Sequence, residues 1–345
     1  MRIGERTYNI KLGFAIFLSI TLISIAIILY IDFDKRTWEG LKEIKPIYGL
    51  IAGALMVIQW LLNGLRFQIL VNSFKEKVDF RTSFNAFMAN LFMSAMTPSQ
   101  TGGGPLQIII LRRAGIPVAK AFAGCLMGAV LTVVCLVSLN AGILLFDSGL
   151  RLEFGHHMRA VLSMVIIIFL FLTFLFVLSL FRIGLVKRIF GKITLFILQL
   201  IKKKRKLAVI KKLLRGLDQY SECMQAFAGK KKKRVFIACI ITFLALFFNN
   251  LIGPVLLMGL NIQAKFPQIF LIQFVISFIL YFSPTPGASG IAEFSNYWIL
   301  SEVNVEQNML GIYTVIWRFF MSFIGVSVGA IIVLSMLRSN KKKIL

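Results

Sequence analysis

The chain has 345 residues, 58% of them hydrophobic and only 15% charged, with a formal net charge of +25 and a mean hydropathy of +0.84. One soluble core cannot bury that much apolar surface, and several apolar runs reach the roughly 20 residues a helix needs to cross about 30 Å of hydrocarbon. The period-2 alternation of a β-barrel is not evident, so the composition excludes a soluble domain and points to an all-α polytopic membrane protein.

The first apolar run, Leu12 to Ile31, follows the basic tail MRIGERTYNIK. It is longer than the roughly 7–15 apolar residues of a secretory signal and precedes no A-x-A-like cleavage site, so it reads as an uncleaved span. Further full spans are predicted over residues 47–65, 118–145, 161–183, 235–260 and 309–336, each set by apolar length and polar flanks. Between them lie two pairs of shorter apolar pieces, 82–96 with 105–114 and 267–282 with 290–300. A piece of ten residues reaches only about 15 Å, half the hydrocarbon thickness, which suits the arm of a re-entrant hairpin.

Each pair is interrupted by the same pattern, T-P-x-x-[ST]-G, first as Thr97-Pro98-x-x-Thr101-Gly102 and then, 188 residues later, as Thr285-Pro286-x-x-Ser289-Gly290. Lys/Arg placement gives the orientation. Residues 182–234 carry 17 Lys/Arg against Asp218 and Glu222, which makes this segment cytoplasmic by the positive-inside rule. Six crossings then put both termini inside, with Arg66, Lys75, Lys77, Arg81, Arg112 and Arg113 also inside, in a multi-pass protein of the cell membrane. The first hairpin enters from the cytoplasm and the second from outside. The expected fold is therefore six transmembrane helices plus two re-entrant helical hairpins in an inverted repeat. A single membrane domain spans 1–345, with repeat 1 at 47–145 (hairpin 82–114), a basic segment at 184–234, and repeat 2 at 235–334 (hairpin 267–300).

Non-helical backbone at membrane depth survives only when it is buried in protein or lines a wet cavity, so two breaks imply a polar cavity. In the first break, Gly102, Gly103 and Gly104 let the backbone approach a ligand, Pro105 suits the first helical position, and the following helix points its amides at the break. An anionic group such as a phosphate is the natural occupant, with Thr97, Thr101 and Gln107 beside it. In the second break, Thr285, Ser289 and Gly290 precede Glu293, which can complete a capping box with Gly290 in the cap position. Glu293 is the one acidic residue the span assignment places at membrane depth, and Arg318 lies about 14 Å into the last span. Two readings of these charges stay open: an ion pair with each other, or contacts to a phosphate and to a cationic group or proton. Asn63, Asn90, Asn249 and Asn250 read as interhelical packing.

Cys125, Cys135, Cys223 and Cys239 lack C-x-x-C spacing, and His156 and His157 are adjacent in a polar loop, so no metal, disulfide framework or other cofactor is expected. The stretch 207–227 has apolar residues at helical spacing opposite lysines, as in a helix lying on the anionic inner leaflet. Basic residues that flank spans without aromatic interleaving exclude nucleic acid.

At TPSQTGGGPLQIIILRRAGIP, FSPTPGASGIAEF and WRF (317–319) the chain resembles the lysylphosphatidylglycerol synthase membrane-domain family, also called flippase-like proteins, over about residues 10–338. The resemblance implies movement of phosphatidylglycerol or its lysyl ester between leaflets, and Arg318 matches a basic residue often seen in the family's last helix. Many members carry an acidic residue in the first glycine-rich motif. Here Pro105-Leu106-Gln107 stands there, so the resemblance does not fix the headgroup. The expected function is a lipid translocator with no catalytic residues. It could be a homo-oligomer, and its motion would be passive or ion-coupled through Glu293. The alternatives are a polyprenyl-phosphate transporter and a membrane partner of a separate lipid synthase docked on 184–234. The family's soluble lysyltransferase domain is not expected, since the chain ends at Leu345, nine residues past the last span.

Overall fold

The computed structural model describes residues 15–16, 18–27, 30, 45–74, 76–146, 164, 167, 171, 232–262, 264–301 and 309–341. All regular structure among them is helical. A short apolar helix α1 (Leu18–Ile27) is followed by α2 (Pro46–Asn72), α3 (Phe80–Met96), a 3₁₀ turn (Pro98–Gln100), α4 (Gly103–Arg113) and α5 (Val118–Phe146). After residue 231 come α6 (Lys232–Gly259), α7 (Phe266–Tyr281), a second 3₁₀ turn (Pro286–Ala288) and α8 (Ile291–Ser301). The last helix starts as α9 (Leu310–Arg318), loosens into a π turn (Phe319–Phe323) and continues as α10 (Ile324–Lys341).

Among the described residues four helices are long and apolar enough to cross a membrane: α2, α5, α6 and the α9–α10 helix. They correspond to the expected spans 47–65, 118–145, 235–260 and 309–336. The expected span 161–183 apart from residues 164, 167 and 171, the segment 184–234 apart from 232–234, the two histidines and residues 12–14, 17, 28–29 and 31 of span 12–31 lie outside the described residues. Leu50, Val57, Leu61, Phe236, Ile240 and Phe243 are exposed along α2 and α6. Such a face is a liability in water and costs nothing in lipid.

α2 and α6 form the broadest packing among the described residues and run antiparallel. The Lys45 N–H donates to Gly259 O at one end, and the Arg234 guanidinium donates to Asn72 O at the other. Around this pair the neighbours correspond: α2 packs on α3 and α6 on α7, α3 on α4 and α7 on α8, α3 on α10 and α7 on α5. Small residues permit the close crossings. A Cβ on Gly253 would sit 2.5 Å from Gln273 Cδ, and one on Gly329 would collide with Met88 O.

One boundary differs from expectation. The apolar run stops at Leu65, but α2 continues to Asn72, so Arg66 belongs to the helix and not to a cytoplasmic loop. The extra turns are held because their polar side chains have partners: Gln68 and Asn72 both donate to Val78 O.

Candidate functional site

The first break starts where proline forbids helix. Thr97, ahead of Pro98, takes extended angles (φ −125°, ψ 140°) and closes α3. Ser99 (φ 50°) and Gln100 (φ 56°) then turn left-handed in succession, at a cost of roughly 1 kcal/mol or more each for residues with a Cβ. The Thr97 hydroxyl donates to Met93 O (2.9 Å) and accepts from the Gly102 N–H (2.8 Å). Thr101 Oγ1 donates to Pro98 O and is exposed. The three glycines divide by role. A Cβ on Gly102 would lie 2.6 Å from Thr97 Cγ2, and one on Gly103 would collide with Ser94 Oγ, so both serve the close approach of α4 to α3. Gly104 faces open space. Pro105 is the third residue of α4, not the first. It is tolerated there because the first four N–H groups of a helix have no partner within it.

The second break repeats this geometry. Thr285 is extended (φ −81°, ψ 150°) before Pro286, and Gly287 (φ 57°) and Ala288 (φ 56°) form the left-handed pair. Gly290 (φ 82°) caps α8. Its N–H donates to Glu293 Oε2 at 2.7 Å, the carboxylate half of a capping box. The two turns pack together: the Ser99 N–H donates to Pro284 O and Gln100 Nε2 to Leu280 O, each at 3.3 Å.

Glu293 and Arg318 meet each other. Arg318 Nε lies 2.9 Å from Glu293 Oε1, with the side chains 2% and 0% exposed. This is a salt bridge between two buried side chains. The same guanidinium donates to Gly287 O (2.7 Å), to Ser322 Oγ in the π turn (2.8 Å) and, at 3.5 Å, to Ser289 Oγ. Thr21 of α1 also donates to Ser289 Oγ (2.8 Å). Thr285 Oγ1 shares a hydrogen bond with Ser283 Oγ. The pair thus ties the second break to the last helix and is sealed from solvent.

Beside the joined turns lies a cavity of about 490 Å³, within the size range of ligand sites. Of the residues singled out from sequence, Gly104 and Gln107 line it. Thr97, Thr101, Gly102, Gly103, Thr285, Ser289, Gly290, Glu293 and Arg318 surround the breaks without lining it. Its polar wall combines Asn63, Asn90 and Asn249, read as packing, and Arg66, read as cytoplasmic, with residues the sequence did not single out: Gln59 from α2, Ser94 from α3, Thr132 from α5, Thr242 from α6, Ser277 and Tyr281 from α7. Asn250, by contrast, is fully buried and accepts from Ser277 Oγ (2.6 Å). The missed signal is periodic. Gln59, Asn63 and Arg66 fall at i, i+4 and i+7, Asn90 and Ser94 at i and i+4, Thr242 and Asn249 at i and i+7, each a polar stripe on one face of an otherwise apolar helix.

Comparison with known proteins follows the same lines. A family model described as the lysylphosphatidylglycerol synthase TM region matches residues 12–329. A protein of Archaeoglobus fulgidus named "UPF0104 membrane protein" is 25% identical over 309 residues, covering 89% of this chain and 92% of that protein.

Proposed function

The chain belongs to the family of lysylphosphatidylglycerol synthase TM regions, and from that premise we propose that it is a translocator that passes a phosphate-bearing lipid headgroup between leaflets. The observation that carries this reading is the polar cavity beside the two joined breaks, inside helices whose outer faces are apolar. Lipid translocation has two requirements: a wet path for the headgroup, and a lipid-compatible outside for the chains.

Alternating access needs two halves that rock about a common site, and an inverted repeat supplies them. Support for such a repeat comes from the antiparallel packing of α2 on α6. It comes also from the offset of 188 residues that carries the turn Pro98–Gln100 onto Pro286–Ala288 and the start of α4 at Gly103 onto that of α8 at Ile291. On this reading the pairs α3–α4 and α7–α8 are re-entrant hairpins entering from opposite sides. The repeats are not equivalent in chemistry. Both turn polar side chains to the cavity, while the second also carries the buried Glu293–Arg318 pair. That pair acts as a latch between the second hairpin and the last helix, and one side opens as the other closes.

The test is reconstitution into liposomes that carry fluorescent phospholipids, with a membrane-impermeant reductant reporting loss of leaflet protection. Protein-containing vesicles are expected to lose protection of the inner-leaflet probe. Bleaching identical to empty vesicles for phosphatidylglycerol, its lysyl ester and a polyprenyl phosphate alike would reject the proposal.

A further inference from the structure

The charges around the cavity are one-sided. Among the described residues Arg66 is the charged side chain lining the space, and no Asp or Glu lines it. Its Nη1 donates to Thr132 Oγ1 at 2.8 Å and more weakly to Thr242 Oγ1 at 3.4 Å, both neutral hydroxyls. Its Nε is buried and has no hydrogen-bond partner among the described residues. A guanidinium whose donors exceed its acceptors, held at the wall of a ligand-sized space, is a docking point for an oxyanion. Asn63, Asn90 and Gln107 supply neutral amides around it, able to bind ester and hydroxyl oxygens.

The carboxylate that could balance a cation is elsewhere. Glu293 is fully buried, does not line the cavity and is already matched by Arg318. A headgroup ammonium entering the cavity would meet a fixed positive charge and, among the described residues, no compensating carboxylate, which disfavours it in a site of low dielectric.

We propose that Arg66 is the phosphate-binding residue of this cavity, and that the site takes lipid phosphate mono- and diesters without a cationic substituent while discriminating against lysylated and choline headgroups. This narrows the translocator reading and rests on it for the route of the lipid; the binding preference can be measured by itself.

The experiment uses the full chain in neutral detergent and measures binding of short-chain phosphatidylglycerol, its lysyl ester, short-chain phosphatidylcholine and inorganic phosphate. Loss of a charge-assisted contact of this kind costs about ten- to a hundredfold in affinity. Arg66→Gln is therefore expected to weaken phosphatidylglycerol by about tenfold or more. Arg66→Lys keeps the charge without the fork and should fall between. The wild-type ranking of phosphatidylglycerol against its lysyl ester needs no substitution, which keeps the test open if Arg66→Gln does not fold. The lysyl ester and phosphatidylcholine are expected to bind at least about tenfold more weakly than phosphatidylglycerol to the wild type.

Equal binding of the lysyl ester and phosphatidylglycerol, or unchanged binding in a folded Arg66→Gln protein, would overturn the proposal. Inorganic phosphate binding as tightly as the short-chain lipid would overturn its lipid part in favour of the free ion. The two levels separate cleanly. Arg66-dependent binding in a protein that scrambles no lipid rejects translocation and keeps the site. Scrambling of both lipids at one rate, insensitive to Arg66→Gln, rejects the site and keeps translocation.

Discussion

Replacing Glu293 with Gln removes one charge from a pair in which neither partner reaches solvent: the side chains are 0% and 2% exposed and 2.9 Å apart. Gln can still accept from the Gly290 N–H, so the cap survives and the loss is electrostatic. Breaking a buried pair by removing one member costs about 3–5 kcal/mol, because the other charge stays behind uncompensated. Arg318→Gln should cost at least as much, since it also strips donors from Gly287 O and Ser322 Oγ. At about 2 °C per kcal/mol for a large chain, each single variant should melt roughly 6–10 °C lower in detergent. The double variant Glu293→Gln/Arg318→Gln leaves no orphan charge and should recover at least about 2 kcal/mol relative to the sum of the singles. The assay is a double-mutant cycle on apparent melting temperature in one detergent. Strictly additive losses, or single variants within about 1 kcal/mol of wild type, would refute the assignment of this pair as the latch of the second break.

Gly103→Ala should destabilise by about 1–3 kcal/mol through its collision with Ser94 and Asn90, and Gly104→Ala, with open space before it, should stay within about 0.5 kcal/mol; paired melting curves check the contrast. Cys135 Sγ and Cys239 Sγ lie 3.9 Å apart on α5 and α6, so brief oxidation should cross-link them, read as fragments held together after proteolysis between residues 147 and 231. Fragments that separate without reductant would contradict that packing. Single cysteines at Lys120 and Lys265 should label from opposite sides of sealed vesicles, and labelling from one side would reject the inverted orientation of the two hairpins.

The sequence located the breaks closely because their signals are local. Thr-Pro forces extended backbone, the glycines and left-handed positions follow, and Glu293 stands three residues after Gly290, the separation a capping box requires. The end of α2 was hidden by a rule that usually works. An arginine normally ends an apolar run, and only the cavity it lines, with Thr132 and Thr242 reaching across from α5 and α6, makes Arg66 acceptable inside the helix. Arg318 posed the converse problem. Its depth marked it as important, but whether it met Glu293 or a ligand depended on how α8 packs against α9, a contact between segments that composition and periodicity do not describe. The cavity lining was half legible: the stripes in α2, α3 and α6 are visible in the sequence, and their convergence on one space is a property of the packing.

The central claim is that lipid crosses by way of the cavity, and a plug tests it directly. Gly104 lines the cavity and a Cβ there meets nothing within 4 Å, so Gly104→Trp introduces an indole at the cavity wall from a Cβ that displaces nothing. Leaflet scrambling of fluorescent phosphatidylglycerol is to be compared between wild type and this variant, at equal protein per vesicle and with matched melting temperatures. The account predicts that scrambling falls to the level of empty vesicles. Scrambling at the wild-type rate in the plugged protein would contradict it.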